Sequence, residues 1–148
     1  MAVRDLEWFA AARTGLTLHA NRGANGIDGL IATATGIALG SAAPTVALLG
    51  DLAAHHDASS LVAALGADAD LTVVVADNAG GGIFAFLPQA EHCPPGEFDA
   101  LFTTAQAPDL VELARAYGAR AERVAPSECA EALRGAVSRR GVDVLVVE

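Results

Sequence analysis

Apolar and polar positions along the chain alternate between two rhythms. Short, nearly unbroken apolar runs occur at Thr45–Leu49 (TVALL), Leu71–Ala76 (LTVVVA) and Val142–Val147 (VDVLVV), and short strand-like segments that mix apolar and polar residues at Leu16–Ala20 (LTLHA) and Ala119–Val124 (ARAERV). Each has the length and side-chain shape of a β-strand, and an unbroken run points to burial on both faces of a sheet. Between them lie stretches with helical spacing. Arg4 to Arg13 sets Leu6, Phe9 and Ala10 on one face. Ile27 to Leu39 is built mostly of Ala, Gly and Thr and must approach its neighbours closely. Asp57 is placed to cap a helix Ala58–Leu65, Asp109 one that runs to Tyr117 and stops at Gly118, and Ser127 one that runs to about Val137. Pro88, Pro94 and Pro95 mark a loop from about Leu87 to Gly96. Strands alternating with helices predict an α/β fold, a doubly wound parallel sheet with helices on both faces.

Composition narrows the function classes. Hydrophobic residues make up 53% of the 148 and charged ones 18%, a folded rather than disordered balance. The length suits one domain over residues 1–148. Because the chain opens on a helix and stops on a strand, it is expected to be one domain of a longer protein. The net charge is −9, and the nine basic residues are all Arg, scattered except for Arg139-Arg140. That argues against a nucleic-acid surface, which needs clustered cations. Cys93 and Cys129 form no CxxC and are expected to be free thiols. With no apolar run of about 18 residues and no signal-peptide pattern, the expected setting is soluble and cytoplasmic.

The candidate chemistry sits just after two of the strands. Gly50-Asp51-Leu52 follows the first of these runs, and Asp77-Asn78-Ala79-Gly80-Gly81-Gly82 follows the second. In a parallel sheet both emerge at the carboxyl edge, where open α/β sheets bind their ligands. Asp, Asn and Gly also favour plain turns, so the pair reads either as turn chemistry or as oxygen ligands for a hard cation. A Mg²⁺ ion takes one or two protein oxygens and completes its shell with phosphate. The glycines would let a main-chain carbonyl face such an ion, and helix N-termini near Asp57 and Ile83 could offer N–H groups to phosphate. Asn21–Gly29 (NRGANGIDG) is a glycine-rich turn in which Arg22 is suited to a carboxylate. It contains no dinucleotide fingerprint, and a chain without Lys has no Walker motif. His55, His56 and His92 receive no role.

A Gly-Asp followed about 26 residues later by Asn resembles the motif of thiamine diphosphate (ThDP) enzymes. The strings NRGANGIDG, Gly50–Asp57 (GDLAAHHD) and Gly80–Pro88 (GGGIFAFLP), with Val3-Arg4-Asp5, resemble more narrowly the 2-succinyl-5-enolpyruvyl-6-hydroxy-3-cyclohexene-1-carboxylate synthase family of menaquinone biosynthesis. The resemblance is to that family's C-terminal, diphosphate-binding domain.

It implies ThDP and Mg²⁺ (or Mn²⁺) as cofactors, with Asp51, Asn78 and the Gly80 carbonyl as metal ligands. It implies cofactor contacts from Ile27, Gly50, Asp51, Leu52, Asn78, Gly80 and Ile83, Ile27 propping the cofactor in its bent form. Arg4, Arg22, Phe84 and Leu87 are implied to meet substrate. The implied reaction decarboxylates 2-oxoglutarate and joins the succinyl unit to isochorismate, in a homodimer or homotetramer. No catalytic residue is implied here, since the activating Glu belongs to an N-terminal domain, so these residues alone are expected not to turn over. Where the family usually has Asn-Asn, this chain has Asp77-Asn78. Another ThDP carboligase or 2-oxoacid decarboxylase, acetolactate-synthase-like, and a non-enzymatic doubly wound binding module remain alternatives on the residues.

Overall fold

The computed structural model describes residues 2–21 and 26–148. Its elements are α1 (Ala2–Phe9), α2 (Leu30–Ser41), β1 (Thr45–Gly50), α3 (Asp51–His56), α4 (Ser60–Gly66), β2 (Leu71–Ala76), α5 (Gln89–His92), α6 (Pro95–Phe98), α7 (Leu110–Ala116), β3 (Arg120–Val124), α8 (Cys129–Val137) and β4 (Val142–Val147). The four strands form one parallel sheet in the order β1-β2-β4-β3.

Period-two alternation divides the core between the two faces. Leu71, Val73 and Val75 of β2 and Val142, Val144 and Val146 of β4 point to one side. There they pack on Ile31, Ala34 and Ala38 of α2, Ala53 and Ala54 of α3, Leu61 and Ala64 of α4, and Leu110, Val111 and Ala114 of α7. Val74, Val124 and Leu145 point to the other side, against Ala136 of α8. The doubly wound parallel architecture is as the sequence predicts, and the small residues of α2 provide its close approach.

The differences lie mostly at element ends. α1 stops at Phe9 rather than Arg13. α2 begins at Leu30 rather than Ile27, because Gly29 turns into the left-handed region at φ 68°. The expected strand Leu16–Ala20 is absent: the segment is exposed and joins no sheet ladder. That leaves β1 at an edge with Val46 and Leu48 exposed. Asp57 does not cap the following helix with its side chain; its carboxylate reaches back to α2. Ser127 caps nothing, and Glu128 precedes α8 without a side-chain cap. The stretch expected as a loop after Leu87 holds two short helices, α5 and α6. Asp109 does cap α7, accepting from Glu112 N at 2.9 Å, and Gly118 ends that helix at φ 100°.

Candidate functional site: an oxygen cluster at the carboxyl edge

Register builds the site. Gly50 of β1 lies opposite Ala76 of β2, so Asp51 and Asp77 leave the sheet side by side. β1 runs without a loop into α3, whose first residue is Asp51. The Asp51 carboxylate is therefore held at a strand–helix corner, buried, with Oδ2 accepting from Gly80 N at 2.6 Å. Burial pushes its pKa above the ordinary carboxylate range. The Leu52 and Gly80 N–H groups oppose that shift, and the nearby Asp77 charge adds to it.

Asp77 is turned away into an Asx turn, its Oδ1 accepting from Ala79 N at 3.0 Å. The turn carries Ala79 to φ 58° and Gly80 to φ 128°, which aims Asn78 back at Asp51. The inward end of the Asn78 amide lies 3.3 Å from Asp51 Oδ1 and 3.0 Å from the Gly80 carbonyl oxygen. In the hydrogen-bonded arrangement the amide nitrogen faces inward and donates to both; turning the amide over would present its oxygen instead. The position thus suits two states, a hydrogen-bonded cluster without an ion and three converging oxygens around one. An octahedral Mg²⁺ with ligands at about 2.1 Å holds adjacent oxygens about 3.0 Å apart. The donor set fits a hard divalent cation.

Gly80 and Gly81 are required by packing against backbone, and Gly82 packs against the Asn78 side chain. A Cβ on Gly80 would overlap the Thr103 carbonyl oxygen, one on Gly81 the Phe102 carbonyl oxygen, and one on Gly82 the Asn78 amide nitrogen. The segment Asp99–Thr103 lies against the glycine turn, with Gly81 N donating to Thr103 O at 2.7 Å. Phe102 stacks at 5.5 Å from Phe84 and 5.3 Å from Phe98. Phe102 and Thr103 hold the turn in place, and sequence reasoning missed both. The only signal available was the need for something to pack against so many glycines.

The other expected site residues are distributed unevenly. Ile83, Phe84 and Leu87 follow the cluster on a tight 3-10 turn (Gly82–Phe86) rather than a helix start, with Ile83 and Leu87 exposed and Phe84 partly buried. Gly50 and Leu52 flank Asp51. Ile27 lies exposed just before Gly29. Arg4 is not brought to the cluster in this chain: it sits on α1, paired with Glu7 at 2.7 Å. Arg22 lies outside the described residues. Near the two expected N–H donor sites, Ser60, Leu61 and Val62 N bond back to residues 57–59, and Gly82 and Phe84 N bond to Gly80 and Gly81 O. Cys93 and Cys129 are free thiols, as expected. Among the described residues no helix is long and apolar enough to cross a membrane.

A parallel α/β sheet with acid, amide and carbonyl oxygens gathered beyond its carboxyl edge defines a ligand-binding domain. Over residues 5–147 the chain belongs to the family described as thiamine pyrophosphate enzyme, C-terminal TPP binding domain. It is 46% identical over 144 residues to 2-succinyl-5-enolpyruvyl-6-hydroxy-3-cyclohexene-1-carboxylate synthase of Myxococcus xanthus, covering 97% of this chain and 24% of that protein. It is 42% identical over 147 residues to the enzyme of the same name from Nocardia farcinica, covering 98% and 27%. The chain thus spans about a quarter of the length of these relatives.

Among solved structures, Rhodococcus jostii ThDP-dependent 4-hydroxybenzoylformate decarboxylase superposes with a TM-score of 0.64 at 24% identity, over 78% of this chain and 21% of that one. Benzoylformate decarboxylase from Polynucleobacter necessarius gives 0.64 at 24%, over 82% and 22%. At that identity the likeness speaks for the fold alone. The relatives' names agree with the family read from NRGANGIDG, GDLAAHHD and GGGIFAFLP.

Proposed function

We propose that these 148 residues form one domain, the metal–diphosphate half of a ThDP-dependent synthase that decarboxylates 2-oxoglutarate and joins the succinyl unit to isochorismate. The observation that carries the reading is the convergence of Asp51 Oδ1, the Asn78 amide and the Gly80 carbonyl within about one cation's ligand spacing. In it, Asp51, Asn78 and Gly80 hold Mg²⁺ or Mn²⁺, and the ion holds the cofactor diphosphate. When bound, ThDP supplies the electron sink for decarboxylation and carbon–carbon bond formation.

The chain's own residues bind and orient. Gly50 and Leu52 bracket the metal-binding carboxylate. Ile27 supports the cofactor between its two ends, and Ile83, Phe84 and Leu87 form an apolar wall that keeps water from the reacting carbon. Arg22 pairs with a substrate carboxylate. Arg4, turned to Glu7 here, exchanges that exposed pair for substrate, a small cost because exposed ion pairs contribute little. The protein works as a homo-oligomer in the cytoplasm, with an N-terminal domain supplying the activating Glu.

Calorimetry tests the core of this. ThDP binding that requires Mg²⁺ and is lost in Asp51→Ala is the expected result. Binding that is indifferent to both would overturn the metal site. For the substrates, Arg22→Gln in the complete enzyme should raise KM for the two acidic substrates, and an unchanged KM would point to another ThDP reaction.

A further inference from the structure

We propose that Asp57 is a positioning residue that sets the Gly26–Gly29 segment, which carries Ile27, at a fixed distance from the Asp51–Asn78–Gly80 cluster. The inference rests on the cofactor reading above. It starts from a defect in α2. Gly29, the residue before its first turn, has no side chain to accept from the exposed N–H groups there. The missing acceptor comes from a residue far along the chain. Asp57 Oδ2 accepts from Ile31 N at 2.6 Å and Ala32 N at 3.1 Å, while Oδ1 accepts from Ser60 Oγ at 2.6 Å. The carboxylate is nine-tenths buried, and every bond it makes is to an element other than its own helix.

Asp57 is also the residue at which α3 ends, its N–H donating to Ala53 O at 3.1 Å. α3 begins at Asp51. One short helix therefore has the cation-binding carboxylate at its first residue and the anchor of α2 immediately after its last, about 9 Å along the axis. At the far side of that anchor, Gly29 turns the chain toward Asp28 and Ile27. A second contact lies alongside: His56 Nδ1 is 3.8 Å from Asp28 Oδ1, next to Ile27 in sequence. The Asp57 bonds fasten the Ile27 segment to the helix that carries Asp51, and the exposed His56–Asp28 approach lies beside them. With Gly29 held in the left-handed region, no side chain at position 29 is placed to cap α2, and the cap from residue 57 also joins the two halves of the site.

Two probes separate this role from helix capping. Inorganic diphosphate with Mg²⁺ reports on the Asp51 cluster alone, whereas ThDP with Mg²⁺ reports on the cluster and the Ile27 segment together. Both are titrated, by calorimetry, into the protein expressed from its complete reading frame, at a temperature where circular dichroism shows the variants folded. Asp57→Ala should leave diphosphate affinity within about twofold and weaken ThDP about tenfold, the worth of one lost cap. Asp57→Asn, which keeps one oxygen for the two N–H groups of α2 but presents an amide NH2 to Ser60, should recover part of the loss and leave a smaller ThDP-selective remainder.

Ile27→Ala should weaken ThDP selectively too, and adding Asp57→Ala to it should cost little more, because the two act through one segment. Equal losses for both probes, no loss for either, or full additivity with Ile27→Ala would overturn the inference. If the unsubstituted protein bound neither probe, the cofactor reading itself would fail, and the inference with it. An Asp57→Ala protein that does not fold leaves the Asp57→Asn and His56→Ala variants to decide: a ThDP-selective loss in either supports the inference, and none in both overturns it.

Discussion

Two buried aspartates stand at opposite edges of the same sheet. Asp143, on β4 near the amino edge, is surrounded by cations: Arg120 grips it with two bonds, Nε to Oδ1 at 3.1 Å and Nη2 to Oδ2 at 2.7 Å, and Arg139 Nη2 adds a third to Oδ1 at 2.8 Å. Asp51, at the carboxyl edge, has backbone N–H donors, a second acid at Asp77 and an amide whose inward end can be an oxygen. One carboxylate has its counter-charge built into the chain, and the other is arranged as if the counter-charge were to come from outside. The arginine-held carboxylate belongs to the fold, and the one gathered with other oxygens is the one we propose binds a ligand.

The comparison is sharpest when each carboxylate is removed. Asp143→Ala leaves two arginine heads without their buried partner, and we expect a loss of about 3 kcal/mol, the cost typical of breaking a buried ion pair. A shift of the urea midpoint at constant slope would measure it; a shift under about 1 kcal/mol would mean that the half-exposed arginines rehydrate freely. Asp51→Asn should do the reverse. Asn still accepts from Gly80 N, so stability without a cation should stay within about 1 kcal/mol of the parent. Mg²⁺-dependent ThDP affinity should fall about a hundredfold, equivalent to about 2.7 kcal/mol. If Asp51→Asn were instead the more damaging change to stability in cation-free buffer, the two aspartates would not differ as described.

How much of this was legible beforehand follows from where the information resides. Strands β2 and β4 are buried on both faces, and their nearly all-apolar composition, broken only by Thr72 and Asp143, pointed to one reading; β2 falls at Leu71–Ala76 as the run predicts. The Asp51/Asn78 pairing followed from two strand ends in a parallel sheet, which needs only register. Side-chain partners over long range were not legible. Asp57 is a good N-cap residue lying before a helical stretch, and local reasoning assigns it there; the uncapped Gly29 that draws it away is 28 residues earlier in sequence, by the difference of 57 and 29. Leu16–Ala20 shows a similar limit. Its alternation is strand-like, but an edge strand exists only through its neighbour, and none of the described residues pairs with it.

A smaller effect sits between the two acids of the carboxyl edge. Ala79 at φ 58° bears the left-handed strain of about 1 kcal/mol that a Cβ imposes. Ala79→Gly removes the strain but adds freedom to the unfolded chain, for a net gain of about 0.5 kcal/mol. Cation affinity should drop at the same time, because the turn would no longer force Asn78 toward Asp51. Urea unfolding with and without Mg²⁺ reads both. A gain in stability together with unchanged affinity would show that the strain has no part in aiming Asn78.

The smallest effect is one of sign. Asp51 has its pKa raised by burial, with Asp77 adding to the rise. The folded state therefore holds that proton more tightly than the unfolded one. The associated stability is complete below the ordinary carboxylate value near pH 4 and is lost as pH climbs through the raised value. Asp109 runs the other way: the Arg123 guanidinium, then the Glu112 N–H, hold it below the ordinary range. Its contribution is present at neutral pH and disappears on acidification. Asp51→Asn abolishes the first dependence and leaves the second. In cation-free buffer the stability of the parent minus that of Asp51→Asn should fall as pH rises from about 4 toward 7. Adding Mg²⁺ should reverse the trend, since an ion on the carboxylate favours its charged form. A difference that rose with pH before any cation was added would mean that Asp51 already has a cationic partner, and the contrast with Asp143 would collapse.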